Sequence, residues 1–350
     1  MLTLKNANFA ASKSKFEMRI AIVGATGLVG TMIIKVLEEA RYLLVSDITE
    51  FIPVASVKSA GKKLRFLGTD YSVKEISQAI SLRPDIALFS AGSVISSEWA
   101  PVFAEAGITV IDNSSAWRMH DDVPLILPEI NSHRITKETS IIANPNCSTI
   151  QLALVMAPLH KHFGIKRIVI STYQSVTGSG KRGMDQLENE RFGKETTKVY
   201  PHPVDLNLIP QGGGFLGNGY TTEEMKLVDE THKILEAPDI QITSTVVRVP
   251  VYGGHSMAVN VEFNNSYDLE QIYRIISGTQ GVVVQDEPSE FLYPMPLYAE
   301  GKDEVFVGRI RRDWSAPNAL NLWIVADNLR KGAATNAVQI AALLNKQRIF

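Results

Sequence analysis

Cysteine is the scarcest residue of this 350-residue chain, which contains only one, Cys147. A single cysteine cannot form an intramolecular disulfide, so its thiol is free. Free thiols are typical of proteins in a reducing compartment. We therefore expect a cytoplasmic location and look for a chemical rather than a cross-linking reason for this residue.

Long apolar runs and a surplus of one charge are also missing. No apolar run reaches the roughly 18–20 residues that span a bilayer, so we expect no membrane partner. The 35 basic and 37 acidic side chains leave a formal net charge of −2. Nucleic-acid binders normally carry a basic surplus, so we expect no nucleic-acid partner either.

Residues 1–17 lack the apolar core of a secretory signal. We expect them to form a disordered extension before a second possible start at Met18. The length of the chain predicts two domains. Its content of 45% hydrophobic and 21% charged residues is ordinary for a globular protein.

A glycine-rich turn follows the first predicted strand in "MRIAIVGATGLVG". Residues 20–23 form an apolar run, and residues 29–37 place apolar side chains at helical spacing. Between them, Gly24, Gly27 and Gly30 let the backbone turn sharply and approach a pyrophosphate, which the helix N-terminus attracts. The pattern favours a dinucleotide site over a tight turn without a ligand.

The next predicted strand, in "FIPVASVKSAGKK", bears on the choice of cofactor. An NAD site usually carries a carboxylate at the end of this strand to bind the ribose. Here Ser56, Lys58 and Ser59 stand in its place, which favours the 2′-phosphate of NADP. Lys62 and Lys63 are equally explained as a solvent-exposed basic loop.

Two further predicted strands, in "DIALFSAG" (85–92) and "ITVIDNSS" (108–115), end in small or hydrogen-bonding residues. Ser90 and Gly92 are among them. The carboxyl ends of such strands form the crevice in which a doubly wound sheet binds its ligands. We therefore expect the cofactor at this edge.

The single cysteine lies in "NPNCST", between a predicted strand and a predicted helix. Apolar positions at helical spacing over 150–157 place Cys147 at the helix N-terminus, where the dipole favours a thiolate. We therefore predict a thiol pKa below the usual value of about 8.5. A lone cysteine is often a small buried hydrophobe. The polar neighbours Asn146, Ser148 and Thr149 favour a nucleophile instead.

A nucleophilic cysteine in a nicotinamide-binding protein indicates an acyl-thioester route, in which hydride passes at the carbon attached to sulfur. Such a route needs a proton shuttle. Among seven histidines, His255 follows a strand-like run that ends in Gly253 and Gly254. From this pattern alone, His255 is equally a shuttle or a simple turn residue.

Several stretches, in order and from Met18 onward, together resemble the aspartate-β-semialdehyde dehydrogenase family. They are "GATGLVG", "FSAGS", "VIDNSSAWRM", "VPLILPEIN", "IIANPNCSTIQ", "STYQSVTGSG", "GYTTEEMKLVDETHKI", "VVRVPVYGGHS" and "GRIRRDWSAPNALNLWIVADNLRKGAATNAVQIA". The resemblance implies an α/β Rossmann-type NADP-binding domain, residues 18–146 with a C-terminal helix in 329–350. It also implies an α+β catalytic and dimerisation domain with a mixed sheet, residues 147–328.

The resemblance further implies an NADP-dependent, phosphorylating aldehyde dehydrogenase. Such an enzyme reduces L-aspartyl 4-phosphate with NADPH to L-aspartate 4-semialdehyde and phosphate, on the route to lysine through diaminopimelate, methionine and threonine. It implies a homodimer or homotetramer and no metal site.

Roles for individual residues follow from the same resemblance. Cys147 is the implied nucleophile, His255 the general acid and base, and Gln174 the residue that orients the acyl group. The implied substrate-binding residues are Arg118, Asn146, Glu223, Lys226 and Arg248. The implied cofactor-binding residues are Gly24, Thr26, Gly27, Leu28, Val29, Ser56, Lys58, Ser59, Ser90, Gly92, Gly178 and Asn328.

Other interpretations of these residues remain open. Glu223 and Lys226 have the i, i+3 spacing of a surface ion pair on a helix, and Arg118 could simply face solvent. Lys58 stands where many relatives carry arginine. Lysine keeps the positive charge at this position but lacks the planar guanidinium group. The alternatives for the whole chain are an enzyme like N-acetyl-glutamyl-phosphate reductase and a catalytically silent NADP-binding assembly partner.

Overall fold

The protein is described by a computed structural model for residues 18–347. The predicted extension, 1–17, and the last residues, 348–350, lie outside the described range. The strands are β1 (Met18–Val23), β2 (Ile48–Val54), β3 (Lys63–Phe66), β4 (Thr69–Ser72), β5 (Ile86–Phe89), β6 (Thr109–Asp112), β7 (Ile141–Ala143), β8 (Ile165–Gln174), β9 (Gln241–Arg248), β10 (His255–Phe263), β11 (Val282–Val284), β12 (Val305–Arg312) and β13 (Ala319–Ala326). The helices are α1 (Leu28–Glu38), α2 (Ile76–Ser81), α3 (Ser93–Glu105), α4 (Pro128–Asn131), α5 (Cys147–Phe163), α6 (Gly180–Arg191), α7 (Thr222–Leu235), α8 (Leu269–Ser277), α9 (Pro296–Ala299) and α10 (Thr335–Gln347).

The first sheet has five parallel strands in the order β2-β1-β5-β6-β7. Side chains of β1 alternate between two cores, as the period of a strand requires. Ile20 and Ile22 belong to the core that includes α1, whereas Ala21 and Val23 belong to the core that includes α3. Helices therefore cover both faces, and the predicted Rossmann-type fold is confirmed.

The second sheet has six strands in the order β11-β12-β13-β10-β8-β9. Two of its pairings, β8 with β9 and β11 with β12, are parallel, and the other three are antiparallel. The predicted mixed sheet is thus confirmed. Apolar side chains of α5, α7 and α8 share one core with this sheet.

The chain returns to the first sheet at its C-terminal end. After β13, a π-helical turn, Arg330–Ala334, leads into α10. The apolar stripe along this segment is fully buried in the core of β1 and α1. The stripe consists of Ala334, Ala337, Val338, Ala341 and Leu344. Across residues 18–347, no helix is both long and apolar enough to cross a membrane.

Candidate active site

Cys147 is the first residue of α5, and β7 ends shortly before it, so the predicted strand, turn and helix are confirmed. The side chain of Asn146 caps the helix, because its Oδ1 accepts a hydrogen bond of 2.9 Å from the Ser148 N–H. The same oxygen lies 4.0 Å from Cys147 Sγ. The helix ends at Gly164, whose φ of +65° is a conformation that glycine adopts easily.

The predicted fall in the pKa of this thiol is wrong. Burial raises the pKa of Cys147 to about 11, and the Glu223 carboxylate adds to the rise, while Arg118 and Arg248 oppose it. The sequence shows the helix start but not the desolvation of the sulfur, which is the largest cause of the rise. As a whole residue, Cys147 is half-buried. The resting thiol is protonated at neutral pH, so its attack requires a base.

Strand pairing places Gln174 and His255 opposite each other, where β8 ends and β10 begins. Gln174 Nε2 donates a hydrogen bond of 2.6 Å to the hydroxyl of Ser148, the residue after Cys147. The three predicted catalytic residues are therefore brought together where α5 meets the end of the second sheet.

His255 is a buried imidazole, 1% exposed. The Ser175 N–H donates to its Nδ1 at 3.2 Å, and the Ser175 hydroxyl lies 3.1 Å from the same nitrogen. That hydroxyl also contacts the Thr177 hydroxyl at 2.8 Å and donates to Asn328 Oδ1 at 3.0 Å. Burial lowers the pKa of His255 to about 3, and the charge of Arg248 adds to the fall. The ring is therefore neutral across the physiological range.

Arg248, at the end of β9, lies beside His255 and donates from Nη1 to the Ser175 carbonyl at 2.6 Å. Within residues 18–347, eleven buried side-chain polar atoms have no partner. Three of them, Arg248 Nε, His255 Nε2 and Gln174 Oε1, belong to residues paired at the ends of β8, β9 and β10. Buried polar groups are normally hydrogen-bonded, so three orphans in one place indicate a ligand site. A Cβ built at Gly178 would lie 2.7 Å from Arg248 Nη1 and 3.3 Å from His255 Nε2. Glycine thus keeps this space open.

Arg118 is buried rather than facing solvent, so that interpretation is wrong. Its guanidinium donates to Glu230 Oε1 at 3.0 Å and to the carbonyls of Asn144 and Asn113 at 2.9 and 2.8 Å. Glu230 Oε2 also accepts from the Asn146 N–H at 2.6 Å. The sequence interpretation missed Glu230. Its spacing of seven residues from Glu223 puts it on the same face of α7, which was the available signal.

Glu223 and Lys226 form the expected i, i+3 ion pair on α7. The pair is more than a surface feature, because Glu223 Oε2 also accepts from Asn146 Nδ2 at 3.0 Å. Burial raises the pKa of Glu223, but Lys226, the Asn146 amide and Arg118 together lower it below its usual value. The Glu223 carboxylate and the Lys226 ammonium therefore lie beside Asn146, which caps the helix that begins at Cys147.

The glycine turn after β1 fits the pyrophosphate of a dinucleotide. Gly24 has a φ of +91°, and a Cβ there would lie 2.8 Å from the Ser90 backbone. A Cβ at Gly30 would lie 2.2 Å from the Gly24 carbonyl oxygen, so the turn and α1 need glycine for close contact. No side chain of the described chain caps α1 at Gly27. The first N–H groups of the helix thus remain available to an anion.

Most of the other predicted cofactor residues surround this turn. β2 ends at Val54, whose carbonyl accepts from Gly24 N–H at 2.8 Å, so Ser56 follows the strand rather than ending it. Ser56 and Lys58 are exposed, and Ser59 is partly buried. Gly92, which precedes α3, and Thr26 are exposed, whereas Leu28, Val29 and Ser90 are partly buried. Gly178 and Asn328 lie apart from this group, beside Arg248 and Ser175.

Comparison with known proteins identifies the family of this chain. Residues 19–138 match the family model described as semialdehyde dehydrogenase, NAD binding domain, and residues 156–331 match semialdehyde dehydrogenase, dimerisation domain. An aspartate-semialdehyde dehydrogenase of Aquifex aeolicus is 48% identical over 341 residues, 95% of this chain and 99% of the relative. That of Bacillus subtilis is 42% identical over 342 residues, 94% of this chain and 98% of the relative. A crystal structure of aspartate semialdehyde dehydrogenase II from Vibrio cholerae, complexed with ASA, has a TM-score of 0.89 at 43% identity. The match covers 94% of this chain and 98% of that one.

Proposed function

Because the chain belongs to the aspartate-semialdehyde dehydrogenase family, we propose that it reduces L-aspartyl 4-phosphate with NADPH to L-aspartate 4-semialdehyde and phosphate. The observation that carries this proposal is the set of three orphaned polar atoms on Arg248, His255 and Gln174 close to the chain's only thiol. A substrate carboxylate would accept a hydrogen bond from Arg248 Nε, and an acyl oxygen would accept one from protonated His255 Nε2, whereas Gln174 Oε1 requires a donor group of the ligand.

The charges around the thiol match the substrate's own charges. Arg248 offers its Nε and a planar fork to the α-carboxylate, a geometry that supports two parallel hydrogen bonds. The anionic Glu223 is the group to hold the substrate ammonium. Arg118, Asn146 and Lys226 are assigned to the phosphate. Arg118 already donates to Glu230, Asn144 and Asn113, so these partners fix its orientation.

Acyl transfer begins when Cys147 loses its proton and sulfur attacks the carbonyl carbon of the acyl phosphate. We assign the removal of that proton to neutral His255, whose Nε2 has no partner in the described chain. The anionic substrate and the forming thiolate would raise the pKa of the imidazole above its resting value. The carbon–oxygen bond to phosphate breaks, inorganic phosphate leaves, and a thioester with Cys147 remains. Gln174, held by Ser148, orients this acyl group.

Bound NADPH would supply a hydride to the acyl carbon, and this reduction would convert the thioester to a thiohemiacetal on Cys147. His255 gives its proton to the oxygen that becomes negative. Collapse of the thiohemiacetal breaks the carbon–sulfur bond and releases the aldehyde, while the hydroxyl proton passes through His255 to the departing sulfur and re-forms the thiol. Ser175 holds the Nδ1 side of the ring, so Nε2 is the nitrogen available to the substrate.

For the cofactor we propose NADP rather than NAD, with Ser56, Lys58 and Ser59 around the 2′-phosphate. The support is chemical, because hydroxyls and a cation follow β2 where an NAD site carries a carboxylate. Gly178 and Asn328 are assigned to the nicotinamide end, and the remaining predicted residues to the pyrophosphate and adenosine.

The assay runs the reaction in reverse, with aspartate semialdehyde, phosphate and NADP, and follows NADPH formation by absorbance. We expect turnover that depends on phosphate and disappears in Cys147→Ala. N-acetylglutamate semialdehyde is the competing substrate, and preferential use of it would make the chain an N-acetyl-glutamyl-phosphate reductase. Absence of turnover with both aldehydes would instead indicate a silent NADP-binding assembly partner.

The wider setting is proposed on the same basis. The product would feed lysine synthesis through diaminopimelate and the synthesis of methionine and threonine, in the cytoplasm. We propose a homodimer or homotetramer, because residues 156–331 match a dimerisation domain. We place the cofactor domain at 18–146 with the C-terminal helix, and the catalytic domain at 147–328.

A further inference from the structure

The π-helical turn Arg330–Ala334 packs directly on the nucleophile. Its backbone hydrogen bonds span five residues, from the Gly332 N–H to the Asp327 carbonyl at 3.1 Å and from the Ala334 N–H to the Leu329 carbonyl at 2.9 Å. Turns of this kind are rare in proteins, and those that occur are often found at functional sites. The roles proposed above do not use this turn.

Gly332 brings the backbone of the turn against Cys147. A Cβ built at Gly332 would lie 2.8 Å from Cys147 Cβ and 3.3 Å from its Cα, closer than real side chains approach. Gly332 is not among the residues with positive φ. Close contact, rather than backbone conformation, therefore requires glycine here, and any side chain would displace the start of α5.

Arg330 anchors the turn to both parts of the molecule. Its side chain is 1% exposed. The guanidinium donates to both carboxylate oxygens of Asp303, at 2.8 and 3.1 Å, and to both of Glu39, at 2.9 and 2.6 Å. Glu39 follows α1, beside the first sheet, and Asp303 precedes β12 of the second sheet. Bidentate pairs of this kind fix position as well as charge.

Lys331 anchors the turn on another side. It is also 1% exposed, and its ammonium donates to Glu129 Oε1 at 2.7 Å, Gln339 Oε1 at 2.7 Å and Asn336 Oδ1 at 3.1 Å. Two adjacent buried cations are costly to desolvate, and removal of a partner would leave a buried charge uncompensated. The turn is thus held rigidly immediately before Gly332.

The same segment also reaches the base. Asn328 Oδ1 accepts from the hydroxyls of Ser175 and Thr177, at 3.0 and 3.1 Å, and Ser175 in turn contacts His255 Nδ1. Three residues therefore separate Asn328, which reaches the base through Ser175, from Gly332, which lies against the nucleophile. One short segment is thus linked to both.

We propose that Gly332 and Lys331 are positioning residues, which set the place of the Cys147 sulfur relative to His255. Gly332 sets the distance between the turn and the start of α5. The Lys331–Glu129 ion pair keeps the turn at that distance. The inference deepens the proposed function, on which its catalytic part rests. Thiol reactivity tests it independently, because Cys147 is the only cysteine and any alkylation reports on it alone.

The experiment compares Gly332→Ala with Gly217→Ala, a matched control. Within the described chain, no atom lies within 4 Å of a Cβ built at Gly217. For each protein we measure the rate of alkylation by iodoacetamide as a function of pH. We also measure kcat and KM in the reverse assay and follow thermal unfolding. For Gly332→Ala we expect kcat to fall at least about tenfold with little change in KM for NADP. We also expect alkylation at a given pH to change by about threefold or more. The control should match the wild type.

A folded Gly332→Ala variant with wild-type kcat and alkylation would overturn the proposal. If that variant does not fold, Glu129→Gln decides, because it keeps the shape and the acceptor oxygen but removes the charge opposite Lys331. We expect Glu129→Gln to change kcat and the rate of alkylation in the same direction as expected for Gly332→Ala, by a smaller factor. Wild-type values of both quantities in Glu129→Gln would contradict the proposal. If wild-type protein shows no turnover, the proposed function fails while alkylation still tests the positioning.

Discussion

The two sides of the proposed active site are built differently. On the substrate side, Arg118, Gln174, Arg248 and His255 are all buried and held by hydrogen bonds. On the cofactor side, the backbone of the glycine turn is fixed by close contacts, but Ser56 and Lys58 are exposed. From this difference we expect the proposed chemistry to depend on preorganised side chains, and the proposed choice of cofactor to depend on side chains that the ligand itself must order.

Replacement of Cys147 by alanine should separate the two sides most clearly. We expect turnover to fall by at least about 10³-fold, because the thioester can no longer form. The affinity for NADPH should stay nearly unchanged, since the glycine turn is untouched. Steady-state kinetics and a fluorescence titration with NADPH measure the two effects. Retained activity would overturn the thioester mechanism, and a large loss of NADPH affinity would show that the two sides are not independent.

Burial of His255 predicts a pH effect on stability. Its pKa is about 3 in the folded protein and about 6.5 when exposed. The unfolded chain therefore binds more protons between these values, and stability falls as pH decreases through this window. From about pH 7 to pH 5, the free energy of unfolding of the wild type should fall by about 2 kcal/mol more than that of His255→Gln.

Urea unfolding of both proteins at the two pH values measures this difference. The His255→Gln variant should also lose about 10²-fold or more in kcat, because it lacks a proton shuttle. Parallel losses of stability in the two proteins would show that the imidazole is solvated rather than buried. That result would weaken the contrast between the two sides of the site.

The smallest expected effect concerns Lys58. Its replacement by alanine should raise KM for NADP by about tenfold, equivalent to about 1.4 kcal/mol, and leave KM for NAD unchanged. Lys63→Ala is the matched control, because it removes the same charge from the β3 hairpin that follows. Equal effects of the two substitutions would mean a general electrostatic attraction, and no effect of Lys58→Ala would refute its assignment to the 2′-phosphate.

The sequence predicts the local elements well because each has its own signal. The glycine spacing at Gly24, Gly27 and Gly30 and the strand before it are local, as is the helix that begins at Cys147. The mixed order of the second sheet and the pairing of Gln174 with His255 join residues far apart in the chain. The resemblance implied that this sheet is mixed, but its strand order and the pairing of Gln174 with His255 were not predicted.

The remainder of the site depends on tertiary contacts that a single sequence does not display. Glu230 supports Arg118 and Asn146 from another helix. Gly332 contacts Cys147 across a separation of 185 positions in the numbering. The pKa of the thiol was predicted in the wrong direction because desolvation arises only when the surrounding segments assemble.

The position of α10 has a consequence for biosynthesis of the protein itself. Its buried stripe completes the core around Ile20 and Ile22, yet the whole second sheet is translated in between. During synthesis at roughly 5–20 residues per second, the first sheet would wait on the order of 10–40 s for this last helix. Until then the part of this core that α10 covers lacks its partner, and we expect the nascent chain to bind chaperones that shield hydrophobic surface.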